Sequence, residues 1–178
     1  PAIPVKSQAK TLGAVPVSKR GSVQTYPHPK RKQLPPNINK IIRELYKLDG
    51  KTSPNAKYAF IRVVFENVLK YVVENTRYRD ASGKDILLID SKSLKNAKPN
   101  GKQPHTNFTL LKTNFTDIVK NKGIKNALNK FNLDGMNQVI HNYNRKISDR
   151  DAKTECDNLI PIIEFLLNEE ADLIAELD

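Results

Sequence analysis

Apolar residues recur every three to four positions along most of this chain, which is the spacing of one face of an α-helix. The first such stretch follows Pro35-Pro36 and ends near Asp49-Gly50, with Ile38, Ile41, Ile42, Leu45 and Leu48 on one side. The second follows Ser53-Pro54 and continues for about twenty residues through Tyr58, Ile61, Phe65, Val68 and Val72. Its β-branched content suits a strand, but strands of this length are rare. The pattern therefore predicts a central, deeply buried helix.

Shorter helical patterns follow from Phe108 onwards, separated by Gly123 and by Asp134-Gly135. A helix from about Asp134 is predicted to turn Met136, Val139 and Ile140 towards the core. Ser148, with Asp151 three residues later, resembles a capping box and predicts the start of a long final helix that contains Pro161. The chain is therefore predicted to be all-α, a helical bundle of about five or six helices.

Two segments depart from this pattern. Residues 1–36 contain seven of the eleven prolines, seven Lys or Arg and no acidic residue, which predicts an extended basic N-terminal tail or linker. Residues 37–178 then form the helical domain, interrupted around 77–107 by glycines, prolines and lysines that predict a long, flexible basic loop. Within that insertion, residues 86–89 fit either a short strand or the first turn of a helix.

The net charge of +11 is unevenly distributed. Residues 149–178 contain ten acidic and two basic residues, a net charge of −8, so residues 1–148 carry 28 basic and nine acidic residues, a net charge of +19. Such a basic surface commonly binds phosphate backbones, because neutralising phosphates releases counterions. Nucleic acid, DNA or RNA, is therefore the expected partner, although both basic segments would also suit a solvated tether and loop. The candidate contacts are Lys19, Arg20, Lys30, Arg31, Lys32, Arg77, Arg79, Lys92, Lys95, Lys98 and Lys102.

Composition excludes several classes of protein. The sequence has no glycine-rich phosphate loop and no zinc-spaced Cys and His cluster, so we expect no cofactor and no metal. No apolar run is long enough to span a membrane, and no secretory signal is recognisable. A single cysteine, Cys156, falls on an apolar helix face and is expected to be a small core residue in a cytoplasmic protein. The linker-like start without Met predicts a further domain or subunit before Pro1.

A polar stripe interrupts the helix that follows Asp134. Asn137, His141 and Arg145 are four residues apart, and a continuous helix would align all three on one face. An imidazole titrates near neutral pH and a neighbouring cation tunes it, so His141 is a candidate acid or base of a nuclease. A contact between helices or across a dimer, held by hydrogen bonds, is the alternative.

Residues 126–168 combine an Asn-x-x-x-His helix, a short polar turn and a long helix with the segment Asn158-Leu159-Ile160-Pro161-Ile162-Ile163. This arrangement resembles the C-terminal half of HEPN-like helical domains. Residues 37–73 are similar to a helix pair that precedes such halves in bacterial ParB-like and related defence proteins. HEPN ribonucleases are expected to carry an arginine shortly before the histidine and to pair two such motifs across a dimer. Met136 occupies the arginine position here, and a thioether cannot stabilise a developing phosphorane charge.

The resemblance implies a non-catalytic HEPN-like module of a larger prokaryotic antiviral defence or restriction-type protein. Such a module would mediate homodimerisation and sequence-independent nucleic-acid binding through its basic tail and loop. One alternative is a metal-independent endoribonuclease in which His141 acts with Arg145 and Asn137. The other is a protein-interaction domain for an acidic partner.

Overall fold

The computed structural model describes residues 26–101, 104–142 and 144–178. Over these residues the chain forms six α-helices of nine residues or more and a shorter seventh, which confirms the predicted all-α bundle. Their bounds are α1 Pro36–Lys47, α2 Pro54–Asn75, α3 Phe108–Ile118, α4 Lys122–Lys130, α5 Leu133–His141, α6 Asp149–Leu166 and α7 Glu170–Ala175. A two-stranded hairpin and two single turns of 3-10 helix lie between α2 and α3.

Helix α2 is the centre of the bundle, as its length and apolar pattern predict. It packs most extensively against α6, and also against α1 and α5. Ile61, Val64, Phe65, Val68 and Leu69 are inaccessible to solvent along it. The tertiary contacts outweigh the modest helix propensity of its β-branched residues, because Ile61 and all of its valines except Val63 are removed from water.

Short polar residues define where the later helices begin. Ahead of α3, α4 and α5, an asparagine side chain accepts the backbone N–H three residues later, at distances of 2.8–3.1 Å. These residues are Asn107, Asn121 and Asn132. Before α6, Ser148 and Asp151 form the predicted capping box, with each side chain bonded to the backbone N–H of the other. Each cap satisfies a donor that the first helical turn leaves unpaired.

The segment predicted to be a flexible loop is folded over most of its length. Strands β1 (Arg77–Arg79) and β2 (Asp85–Leu87) pair antiparallel around a turn in which Gly83 has φ +80°, a conformation that favours glycine. Its 3-10 turns at 88–90 and 95–97 direct apolar side chains into the core: Leu88, Ile89, Leu94 and Ala97. Both alternatives for residues 86–89 are therefore partly realised, a strand end followed by one helical turn.

Residues 26–35, which we call the strap, are the second departure from expectation. Backbone N–H groups of Lys30 and Arg31 both donate to the carbonyl oxygen of Leu167 at the end of α6, at 3.0 and 2.8 Å. The Tyr26 ring packs edge-on against Tyr46 with centroids 5.4 Å apart. This part of the predicted linker thus lies against the bundle, because the carbonyl at the end of α6 is an unpaired acceptor. Residues 1–25 lie outside the described residues.

Cys156 is a core residue of α6, as predicted. Its side chain is buried, and burial raises the pKa of the thiol to about 11. The Tyr46 hydroxyl donates a hydrogen bond of 3.0 Å to the Cys156 carbonyl, which joins α1 to the middle of α6. The thiol is therefore protonated at neutral pH and contributes apolar packing.

Candidate functional site

The polar stripe does not lie on one continuous helix. Helix α5 ends at His141, and Asn142 has an extended backbone with φ −125° and ψ 100°. The Asn142 side chain accepts the N–H of Asn144 at 3.0 Å, a local turn that competes with further helix. The predicted alignment of Asn137, His141 and Arg145 on one helix face is therefore wrong, because Arg145 lies in the loop beyond α5.

Arg145 is held by the first turn of α2. The Asn55 side-chain amide donates to the Arg145 carbonyl oxygen at 2.8 Å and accepts the N–H of Ile147 at 2.9 Å. Burial raises the pKa of the Tyr58 hydroxyl, and the positive charge of Arg145 partly opposes this rise. The loop between α5 and α6 thus places Arg145 near Tyr58 of α2. Within the described residues, no hydrogen bond joins Arg145 to the imidazole of His141.

His141 lies at the exposed end of α5 and makes no hydrogen bond or ion pair within the described residues. Asn137, one turn earlier, is half-buried. Met136 is inaccessible to solvent, as predicted, whereas Ile140 is 44% exposed and does not face the core as expected. The inner face of α5 is formed by Leu133 and Met136, and Ile140 lies beyond them in the last turn of the helix, one residue before its end. A catalytic role of His141 stays a prediction.

The candidate cations of the strap differ in their surroundings. Arg31 is only 10% exposed: its guanidinium donates to Thr76 Oγ1 at 2.8 Å, lies 3.7 Å from Glu170 and packs over the Tyr71 ring. Lys32 is exposed and lies 3.5 Å from Glu169, and Lys30 is exposed without an ion pair in the described part of the chain. Arg31 is therefore a structural anchor, because its guanidinium is already used inside the protein.

The candidate cations of the insertion divide in the same way. Arg79 pairs with Asp85 at 3.3 Å, and Lys98 pairs with Asp90. The side chains of Arg77, Lys92 and Lys95 are exposed and have no ion pair among the residues that the structure describes. Lys19, Arg20 and Lys102 lie outside the described residues.

The most uneven charge lies between residues 92 and 130, which contain nine lysines and a single acidic residue, Asp117. Lys98 is paired with Asp90 and Lys120 with Asp178, while Lys125 donates to the Asp117 carbonyl at 2.8 Å. Burial lowers the pKa of Lys112, which is partly packed into the fold. Four lysines of this segment remain exposed and without an ion pair in the described residues, and we call them the lysine group: Lys92, Lys95, Lys122 and Lys130.

Three residues of the lysine group lie in two elements that both pack against α3, and Lys92 lies three residues before the first of these elements. The 3-10 turn at 95–97 contacts α3, where the Asn114 side chain donates to the Ser93 carbonyl at 3.0 Å. Helix α4, which carries Lys122 and Lys130, contacts α3 as well. Our sequence interpretation missed these two lysines because they belong to a helix assigned by its apolar residues. The ratio of nine lysines to one acid would have identified them.

The acidic C-terminal region neutralises other cations. Glu169 and Glu170 face Lys32 and Arg31 of the strap, and Asp178 lies 3.8 Å from Lys120. Glu164 accepts the backbone N–H of His28 at 3.0 Å. Acidic residues of the C-terminal region thus neutralise some of the basic residues within the fold. The lysine group is not among the cations that they neutralise.

No group of three or more His, Cys, Asp or Glu that would hold a metal ion occurs in the described residues. No helix in that part of the chain has the length and apolar content to cross a membrane. Neither protein-family models, curated protein sequences nor solved structures give a match to this chain. The HEPN resemblance therefore stays a prediction.

Proposed function

We propose that this chain is a non-catalytic helical module that binds nucleic acid through its phosphates, with the lysine group as the principal contact. The observation that carries the proposal is the set of four exposed lysines, unpaired within the described residues, in a segment of nine lysines and one acid. Exposed like charges repel one another and reduce stability, so their concentration on elements that share α3 has a cost that a polyanionic partner removes.

Lysine suits contacts with the backbone better than the reading of bases. Its ammonium is a flexible point charge with three donors, whereas base recognition usually needs the fixed, bidentate geometry of Arg, Asn or Gln. Phosphate contacts position a protein on nucleic acid without carrying sequence information. The proposed binding is therefore independent of sequence.

The non-catalytic part of the proposal rests on the arrangement around α5. An acid or base needs an activating group within hydrogen-bond reach, and Arg145 is held beside α2 while Met136 fills the core. Dimerisation and a role in antiviral defence follow from the resemblance alone and stay predictions.

A salt titration of the wild-type chain tests the proposal. Four phosphate contacts predict that affinity for a duplex falls roughly 100-fold between about 50 and 200 mM salt, because each contact releases condensed counterions. Fluorescence anisotropy with a labelled oligonucleotide measures this dependence. Polyglutamate of similar charge is the control. If the natural partner were an acidic protein, polyglutamate would be bound at least as tightly as the oligonucleotide. Absent binding at low salt, or an affinity insensitive to salt, would contradict the proposal.

A further inference from the structure

A cavity of about 410 Å³ opens beside the hairpin. It lies between β1, the segment that follows the first 3-10 turn, the end of α3 and the C-terminal residues after α7. Its volume falls within the range of small-ligand pockets, roughly 300–1,000 Å³. Neither the ion pairs nor the polar stripe described above accounts for it.

The lining of this cavity combines three kinds of side chain. Ile118 and Leu177 are buried and form an apolar part, and Tyr78 of β1 contributes a half-buried aromatic ring. Lys92 is exposed and contributes an unpaired positive charge, whereas Arg79 is exposed but lies 3.3 Å from Asp85. Asp178 also lines the cavity, but Lys120 lies 3.8 Å from its carboxylate. An apolar and aromatic interior beside the unpaired cation Lys92 suits a flat ring attached to an anion.

We infer that this cavity receives one unpaired base of a single-stranded nucleic acid. The inference rests on the proposed function and deepens it, because Lys92 belongs both to the lysine group and to the cavity lining. A strand whose phosphates contact the lysine group thus passes the cavity. A base has apolar faces, and proteins that bind single strands combine a basic groove with aromatic side chains on which bases stack. Lys92 faces a phosphate next to the base.

The chemistry of the cavity distinguishes single strands from duplexes. In a duplex each base is stacked and paired, and extrusion of one base breaks both its stacking and its base pair. A single strand presents its bases without this cost. The chain therefore binds a single strand more tightly than a blunt duplex of the same sequence, and the difference depends on Tyr78.

The test compares Tyr78→Leu with the wild-type chain, using a labelled single-stranded DNA of about twelve nucleotides and its blunt duplex. Loss of stacking lowers affinity for the single strand about ten-fold or more and leaves affinity for the duplex within about two-fold. Tyr78→Phe retains the ring and keeps the wild-type affinity. Equal affinity of Tyr78→Leu and wild type for the single strand, or equal losses for both probes, would overturn the inference.

A second variant guards against an effect of Tyr78→Leu on folding. Ala81 lines the cavity and is exposed, so Ala81→Leu occupies the cavity without removing a core contact and without adding an aromatic ring on which a base could stack. It lowers single-strand affinity as Tyr78→Leu does, and an unchanged affinity would count against the inference. Failure of the proposed function has a different signature, because the wild-type chain would then bind neither probe at low salt.

Discussion

Phe65→Ala is expected to lower the free energy of unfolding by about 3–5 kcal/mol, a large part of the roughly 5–15 kcal/mol available to a domain. Phe65 is inaccessible to solvent in the middle of α2. Its ring packs edge-on against Phe108 and Phe131, with centroids 5.4 and 4.8 Å away. Removing it breaks both aromatic contacts and leaves a cavity where α2 meets α3 and the end of α4.

Urea unfolding followed by far-ultraviolet circular dichroism measures this loss as a lower midpoint with an unchanged slope. Phe60→Ala, on the same helix, is the matched control, because the Phe60 side chain is only partly buried. We expect it to cost less than half as much. Similar losses for the two variants would show that Phe65 does not have the central position assigned to it.

A quadruple Lys→Gln variant of the lysine group is expected to lose most of its nucleic-acid affinity. Each phosphate contact contributes about 0.9 to the slope of log affinity against log salt on duplex DNA, so the slope should become less steep by about three to four. At about 0.1 M salt, affinity should fall roughly 100-fold or more. The measurement is the same anisotropy titration as for the wild-type chain.

The matched control removes the same charge elsewhere. Several other lysines are exposed and have no ion pair within the described residues, and we call four of them the control lysines: Lys47, Lys51, Lys146 and Lys153. Their quadruple Lys→Gln variant has the same net charge, and Lys47 matches Lys130 because each lies in the last turn of a helix. We expect it to bind within a few-fold of wild type. Equal losses would mean that only net charge matters.

The helices could be predicted from the sequence because local rules and packing agree in them. Helix α2 follows from its apolar spacing, and the start of α6 follows from Ser148 and Asp151. The strap could not be predicted in this way, since its contacts join Lys30 and Arg31 to Leu167, far along the chain. A proline-rich, basic segment has no periodicity from which such contacts would be recognised.

The candidate site shows the same division. Spacing alone predicted a helix through Arg145, but the Asn142 turn and the Asn55 contact ended α5 earlier. Composition predicted a basic surface, yet it could not separate Arg31, whose guanidinium is paired inside the fold, from Lys92, which has no ion pair in the described residues. That separation depends on which acids the fold brings near each cation.

Lysine footprinting tests the central claim most directly. The wild-type chain is acetylated with and without a bound single-stranded oligonucleotide, and mass spectrometry gives the rate at each lysine. Bound phosphates should slow acetylation of the lysine group and leave the control lysines unaffected, because a contacted ammonium is shielded from the reagent. Equal protection of both sets, or no protection of the lysine group under conditions where the oligonucleotide is bound, would contradict the account.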